Sequence, residues 1–152
     1  MLPPDFKDIL SEFIAAEVDF IVVGAYALAA HSLPRATGDI NIWMRCAPDN
    51  AMRVIKALKA FGTPLFGTTA EDFATPEIVL HIGVPPYRID ILTQIDGVDF
   101  AEAWAERIVI RIGELDVNTL GYRHLLQNKE TVGRPKDLLD AQFLRETPPA
   151  LS

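Results

Sequence analysis

The sequence contains a single cysteine, Cys46, and it lacks any long hydrophobic run. One cysteine excludes an intramolecular disulfide and fits a reducing compartment. The longest apolar run extends only from Phe20 to Ala30, well short of the ~20 residues that a helix needs to cross a bilayer. The first residues also lack the basic region and apolar core of a signal peptide. We therefore expect a cytoplasmic protein with no membrane partner.

An excess of basic residues is also missing, because 14 lysines and arginines stand against 21 aspartates and glutamates, for a formal net charge of −7. Strong nonspecific binding to nucleic acid depends on a dense basic surface, so we do not expect it here. A nucleotide is still compatible with this charge, since a small polyanion needs only a few local cations and a metal ion.

Most sequence signatures of catalysis are missing as well. The chain has no Gly-x-Ser-x-Gly, no Gly-x-Gly-x-x-Gly and no Walker A phosphate-binding motif. His31, His81 and His124 lack the paired spacing of a zinc site, and we expect each to be an ordinary surface or core histidine. Nothing adjacent in the sequence activates the Cys46 thiol, so we expect it to be inert.

What the sequence does contain is a regular alternation of apolar patterns. Helical spacing predicts helices at about 6–18, 25–31, 49–60, 100–107, 119–130 and 135–145. Short or alternating apolar runs predict strands at about 20–23, 39–43, 77–82, 87–93, 107–112 and 114–117. Asp49 and Asn118 are expected to cap helices, and residues 62–75 are expected to form a surface loop.

This order of elements indicates the α+β class, with helices packed on a mixed β-sheet. The length of 152 residues fits a single domain, 1–152. We expect its core at about 20–118 and two C-terminal helices within about 119–146.

Two of the predicted strands carry oxygen-bearing side chains. Asp39 and Asn41 are two residues apart, so their side chains leave the same face of a strand while Ile40 enters the core. Asp90 lies in a strand with the same alternation. If the two strands are neighbours, the three side chains converge, and a hard cation such as Mg²⁺ prefers such oxygen ligands. The alternative is local, because Asp and Asn near a glycine often bond only to the nearby backbone.

The order of these features resembles a known superfamily. It consists of an apolar strand followed by Gly24-Ala25, then Asp39-Ile40-Asn41 on a strand, then Asp90 on a later strand. This pattern is similar to the nucleotidyltransferase superfamily typified by DNA polymerase beta. Residues 125–129 and 133–140 are similar to the tail of small bacterial nucleotidyltransferase-like proteins, which include relatives of abortive-infection and toxin–antitoxin nucleotidyltransferases.

The resemblance implies that a nucleotide is transferred from an NTP to a hydroxyl group of a protein, an RNA or a small molecule. It implies Mg²⁺ (or Mn²⁺) as cofactor, with Asp39 bridging two ions, Asn41 in the second ligand position and Asp90 on the ion that activates the acceptor. Asp39 and Asp90 would be the catalytic residues. The residues that the resemblance places near the triphosphate are Gly24, Ala25, Arg35, Lys129 and Lys136.

Two positions depart from the superfamily pattern, which has Asp at position 41 and Gly or Ser at position 25. The amide oxygen of Asn41 still ligates a cation, but losing a charge beside a divalent ion costs on the order of several kcal/mol. Ala25 keeps its backbone N–H and brings no hydroxyl. The sequence therefore leaves two functions open: an active nucleotidyltransferase, and a degenerate domain that binds a nucleotide or a partner protein, for example in a toxin–antitoxin system.

Other properties also stay open at the level of sequence. The basic residues Arg35, Lys129 and Lys136 fit ordinary helix-surface charges as well as phosphate contacts. The acceptor and the oligomeric state do not follow from the sequence, and a protein partner or a second copy of the chain remains an option for completing the site.

Overall fold

The computed structural model of the chain describes residues 2–33 and 38–147. Within these residues the helices are α1 Pro4–Ala15, α2 Ala25–Ala30, α3 Pro48–Phe61, α4 Ala70–Phe73, α5 Phe100–Ala105, α6 Tyr122–Val132 and α7 Pro135–Glu146. The strands are β1 Phe20–Val23, β2 Asp39–Met44, β3 Val79–Ile82, β4 Arg88–Leu92, β5 Ile108–Ile112 and β6 Leu115–Thr119. None of the helices in this part of the chain has the length and apolar character needed to cross a membrane.

The strands form one mixed sheet in the order β3-β4-β2-β1-β6-β5. Strand β2 runs parallel to β4, and β1 runs parallel to β6. The other neighbours, β1 with β2, β3 with β4 and β5 with β6, are antiparallel. The predicted α+β class with a mixed sheet is thus confirmed.

Alternation along the strands divides the apolar side chains between the two faces of the sheet. On one face, Ile40 and Ile42 of β2 are fully buried in a cluster that includes residues of α1, α3 and α4. On the other face, Trp43 joins a cluster that includes Leu28 of α2 and Leu125 of α6. The sheet therefore lies between two layers of helices, and the second layer covers the face to which Asp39 and Asn41 belong.

Helix α1 shows how the sequence directs this packing. Its residues Phe6, Ile9, Leu10 and Phe13 follow the spacing of one helical face and are all fully buried. Pro4 is the first helical residue, where the missing N–H breaks no intrahelical hydrogen bond. The burial of one stripe therefore fixes α1 against the sheet.

Both predicted N-caps are wrong. Asp49 lies inside α3, whose N-cap is Ala47, and it pairs with Arg45 at 2.9 Å. The hydrogen bond from Arg45 lowers the pKa of the Asp49 carboxyl to about 2. Asn118 lies in β6, where its Oδ1 accepts a hydrogen bond of 3.2 Å from Arg107 Nε. In both cases the polar side chain binds an arginine instead of a helix N-terminus, four residues away for Asp49 and 11 residues away for Asn118.

The segment predicted as a loop, 62–75, contains the short helix α4. Thr69 caps it by accepting a hydrogen bond from the backbone N–H of Asp72, whose carboxylate accepts one from the N–H of Thr69 in return. Phe73 is fully buried in the same cluster as α1 and α3. The buried phenyl ring explains why this glycine- and threonine-rich segment contains a helical turn.

Candidate functional site

Strands β2 and β4 bring the predicted metal ligands together. The parallel register pairs Asn41 with Asp90 and Asp39 with Arg88. The isoleucines that alternate with these residues, Ile40 among them, are buried on the opposite face. The expectation that the two strands are neighbours is therefore confirmed, and Asp39, Asn41 and Asp90 share one face of the sheet.

Arg88 joins the two carboxylates of this group. Its Nε lies 2.8 Å from Asp90 Oδ1 and one terminal nitrogen lies 3.0 Å from Asp90 Oδ2. The guanidinium therefore donates two parallel hydrogen bonds to Asp90. The same terminal nitrogen lies 3.4 Å from Asp39 Oδ2. The hydrogen bonds to Asp90, followed by the charges of Asp90 and Asp39, raise the pKa of Arg88 above its usual value.

The members of the group differ in their exposure. The side chain of Asp90 is 10% exposed, whereas those of Asp39 and Arg88 are 41% and 33% exposed. Because Asp90 is the most buried, its charge depends most strongly on a nearby cation. Asp39 is the member of the group that solvent reaches most easily.

His81 is a contact of Asp90 that sequence reasoning missed. On β3 it pairs with Asp90 across the antiparallel ladder, and its Nδ1 lies 2.6 Å from Asp90 Oδ1. An ionised carboxylate only accepts hydrogen bonds, so Nδ1 carries the proton in this contact. The available signal was the alternation of β3, which places His81 on the face of Asp90, together with the hairpin that joins β3 to β4.

Gly24 makes room for Asn41. It precedes α2 with φ 73° and ψ −146°, a conformation that is open almost only to glycine. A Cβ on Gly24 would lie 2.5 Å from Asn41 Nδ2. The start of α2, with Ala25 as its first helical residue, therefore lies directly against the second predicted ligand position.

The predicted basic residues are placed differently. Lys129 is largely buried between α6 and α7, with its Nζ 3.3 Å from Asp137 Oδ1 and 3.2 Å from Asp140 Oδ2. The hydrogen bond from Arg134 is the main cause that lowers the pKa of Asp137. Lys136 is exposed on α7, and Arg35 lies outside the described residues. Contact of these three residues with a triphosphate stays a prediction.

The donor set fits one hard cation better than two. Asp39 and Asp90 already converge on one positive group, and Asn41, which the register pairs with Asp90, carries an amide oxygen of the kind that a hard cation binds. Together with Arg88 the formal charge of the group is −1, because two carboxylates face one guanidinium and Asn41 is neutral. In residues 2–33 and 38–147, no three His, Cys, Asp or Glu side chains form a group able to hold a metal ion. A phosphate oxygen would thus have to complete the ligand shell.

Comparison with known proteins agrees with this fold. No protein-family model matches the sequence, and no curated protein matches it either. Among solved structures, the chain is similar to a provisionally assigned nucleotidyltransferase from Thermotoga maritima, with a TM-score of 0.57, 16% identity and coverage of 96% of this chain and 94% of that one.

It is also similar to the lincosamide antibiotic adenylyltransferase LnuA in its lincomycin-bound structure. The TM-score is 0.54, the identity is 11%, and 97% of this chain and 99% of LnuA are covered. At these identities the likeness concerns the fold alone. The chain has a nucleotidyltransferase-like fold, as its resemblance to that superfamily implies.

Proposed function

We propose that the chain binds a divalent metal ion together with an NTP and transfers the nucleotidyl group to a hydroxyl acceptor. The observation that carries the proposal is the register of β2 and β4, which groups Asp39, Asn41 and Asp90 on one face. The nucleotidyltransferase-like fold supports it, since both structural neighbours carry nucleotidyltransferase or adenylyltransferase names. The likeness to LnuA, an adenylyltransferase of a lincosamide antibiotic, adds some weight to a small-molecule acceptor.

The residues of the chain have distinct roles in this proposal. Asp39, Asn41 and Asp90 hold Mg²⁺ or Mn²⁺ through oxygen atoms, and the metal supplies positive charge to the phosphate groups. His81 fixes one oxygen of Asp90, which orients this ligand. Gly24 and Ala25 lie nearest to the triphosphate, and Arg35, Lys129 and Lys136 are further candidates for phosphate contacts.

A second candidate function is binding without catalysis, and two residues favour it. Asn41 lacks the charge of an aspartate, and Arg88 already neutralises part of the remaining charge. A second metal ion would therefore be held weakly, and transfer that depends on two ions would be slow. In that case the protein is a nucleotide- or partner-binding component, for which a toxin–antitoxin system is one setting.

Labelled NTPs distinguish the two functions. The wild type, Asn41→Asp and Asp90→Asn are incubated with each α-labelled NTP, Mg²⁺ or Mn²⁺, and cell extract, and labelled acceptors are separated. The first function predicts labelling by the wild type, more by Asn41→Asp, and none by Asp90→Asn. Asp116→Asn is the matched control, because Asp116 is an exposed aspartate that also pairs with an arginine, on β6 at the far side of the sheet.

Calorimetry with the same proteins completes the test. NTP binding without labelling by either the wild type or Asn41→Asp would leave only the second function. If neither protein binds or transfers any NTP, both nucleotidyl transfer and nucleotide binding are contradicted, and only the binding of a partner protein is left.

A further inference from the structure

Arg88 occupies an unusual place in this group. It is two residues from Asp90 on β4, so both side chains leave the same face, and the register puts it opposite Asp39. Its guanidinium uses both oxygens of Asp90 and one oxygen of Asp39. These are the two carboxylates that the proposed function assigns to a metal ion.

Arg88 binds both carboxylates of the candidate metal site at once. A divalent ion placed on the same oxygens would be repelled by the guanidinium only a few ångströms away. In the observed arrangement, therefore, Arg88 and a metal ion compete for Asp39 and Asp90. About a third of the Arg88 side chain is exposed, so the guanidinium reaches solvent without any rearrangement of β4.

We propose that Arg88 is a displaceable internal cation that couples metal binding to phosphate binding. Without nucleotide it offsets part of the charge of Asp39 and Asp90 and lowers the affinity for a free divalent ion. The phosphate oxygens of an incoming NTP offer the guanidinium another bidentate partner, which frees the carboxylates for the metal that arrives with them. The site therefore takes up a metal–nucleotide complex in preference to the bare metal, an inference that rests on the proposed function.

His81 makes this exchange compatible with a stable site. Its Nδ1 contacts Asp90 Oδ1 from the β3 side, whereas Arg88 approaches along β4. When the guanidinium leaves, Asp90 keeps this hydrogen bond. The largely buried carboxylate therefore stays oriented during the change of cation.

The test compares bare Mn²⁺ with its complex with a non-hydrolysable ATP analogue. Mn²⁺ binding is followed by electron paramagnetic resonance and binding of the complex by calorimetry. Arg88→Gln should bind bare Mn²⁺ at least about tenfold more tightly than the wild type, because a unit charge and a divalent ion a few ångströms apart repel by about that factor even in a water-like dielectric. The same variant should bind the Mn²⁺–nucleotide complex no more tightly than the wild type, because it lacks the phosphate partner.

Two further variants separate charge from structure. Arg88→Lys keeps the charge, so its affinity for bare Mn²⁺ should stay within about threefold of the wild type. Arg111→Gln removes an exposed arginine that pairs with Asp116 on the distant β5–β6 hairpin, and it should change neither affinity. A merely structural role of Arg88 would lower both affinities in Arg88→Gln, which is the opposite of the gain predicted for bare Mn²⁺.

The results also distinguish this proposal from the function on which it rests. If the wild type binds the Mn²⁺–nucleotide complex and Arg88→Gln gains no affinity for bare Mn²⁺, the role of Arg88 is refuted and the proposed function stands. An equal gain in Arg88→Lys would likewise refute a role of the charge. If Arg88→Gln gains affinity for bare Mn²⁺ but no protein binds the complex, the internal cation is supported and nucleotide binding is refuted. If no protein binds either probe, both are refuted.

Discussion

Replacing Asn41 with aspartate tests the electrostatics of the site from the opposite direction. The substitution restores the residue that the superfamily pattern has at this position and adds one negative charge opposite Asp90. Neighbouring strands are about 4.8 Å apart. Two unit charges at about 5 Å repel by about 0.8 kcal/mol in a water-like dielectric and by about 3 kcal/mol at an effective dielectric of about 20. Because position 41 is only partly buried and Arg88 offsets some of the charge of Asp90, we take about 1 kcal/mol as the cost in unfolding free energy.

A divalent ion at the same distance is attracted by the new carboxylate, whereas Asp90 is repelled by it. Its attraction is twice as large per pair, at least about 1.7 kcal/mol, which corresponds to a gain of more than tenfold in metal affinity. In EDTA, Asn41→Asp should therefore unfold about 2–4 °C below the wild type. In millimolar Mn²⁺ its unfolding temperature should rise by more than that of the wild type, which removes the difference or inverts it.

Thermal unfolding followed by circular dichroism measures both effects in one experiment. Asn118→Asp is the matched control, because Asn118 is also a partly buried strand asparagine, and Arg107 contacts it on β6. Mn²⁺ should shift the unfolding temperature of Asn118→Asp by the same amount as that of the wild type. The reasoning is refuted if Asn41→Asp is as stable as the wild type in EDTA, or if Mn²⁺ stabilises the two equally.

Three further substitutions have defined outcomes. Asp137→Asn should lower the free energy of unfolding by about 3 kcal/mol at pH 7, because it breaks a buried ion pair. The ionised carboxylate stabilises the fold above its unfolded pKa of about 3.9. The difference from the wild type should therefore shrink as the pH falls through the lowered pKa of the folded state. Asn50→Ala removes a fully buried amide that makes three hydrogen bonds to backbone groups, and urea unfolding should show a loss of about 3 kcal/mol. Gly24→Ala should cost about 1–3 kcal/mol in backbone strain and should also weaken Mn²⁺ binding, since the new methyl group meets Asn41.

Each of these has its own control or contrary result. A deficit of Asp137→Asn that is the same at pH 7 and pH 3 would show that the charge of Asp137 does not stabilise the fold. A loss below about 1 kcal/mol in Asn50→Ala would show that water replaces the amide. Gly62→Ala also places a side chain at positive φ, but in the described residues its Cβ would meet no atom within 4 Å, so it should lose stability and keep Mn²⁺ affinity.

Alternation of apolar and polar residues was sufficient to predict which side chains of each strand lie on the face away from the buried isoleucines. The isoleucines beside Asp39 and Asp90 must face the interior, which leaves the acidic side chains on the other face whatever the strand order. The neighbouring positions of β2 and β4 did not follow from this pattern, because residues 45–87 separate the two strands in the chain. The resemblance to the nucleotidyltransferase superfamily supplied that link, and the register confirmed it.

The contact of His81 with Asp90 had a signal in the alternation of β3, whereas the contacts of Arg88 were beyond the reach of sequence patterns. An arginine two residues before Asp90 fits a solvated strand face equally well, and only the direction of its side chain makes it a bridge to Asp39. The failed cap at Asn118 has the same cause, since Arg107, 11 residues earlier in the chain, binds it in the folded structure, whereas Asp49 binds Arg45 only four residues away. Local signals predict where the backbone turns, whereas side-chain partners depend on the packing of distant segments.

The most direct test of the proposed site is a crystal structure of the protein with Mn²⁺ and a non-hydrolysable NTP analogue, in which anomalous scattering locates the manganese. We expect a manganese ion bound by oxygens of Asp39, Asn41 and Asp90 and by a phosphate oxygen, with the Arg88 guanidinium turned from Asp90 towards the phosphates. A structure that holds the nucleotide elsewhere, with Arg88 still on both carboxylates and no manganese beside them, would contradict the account.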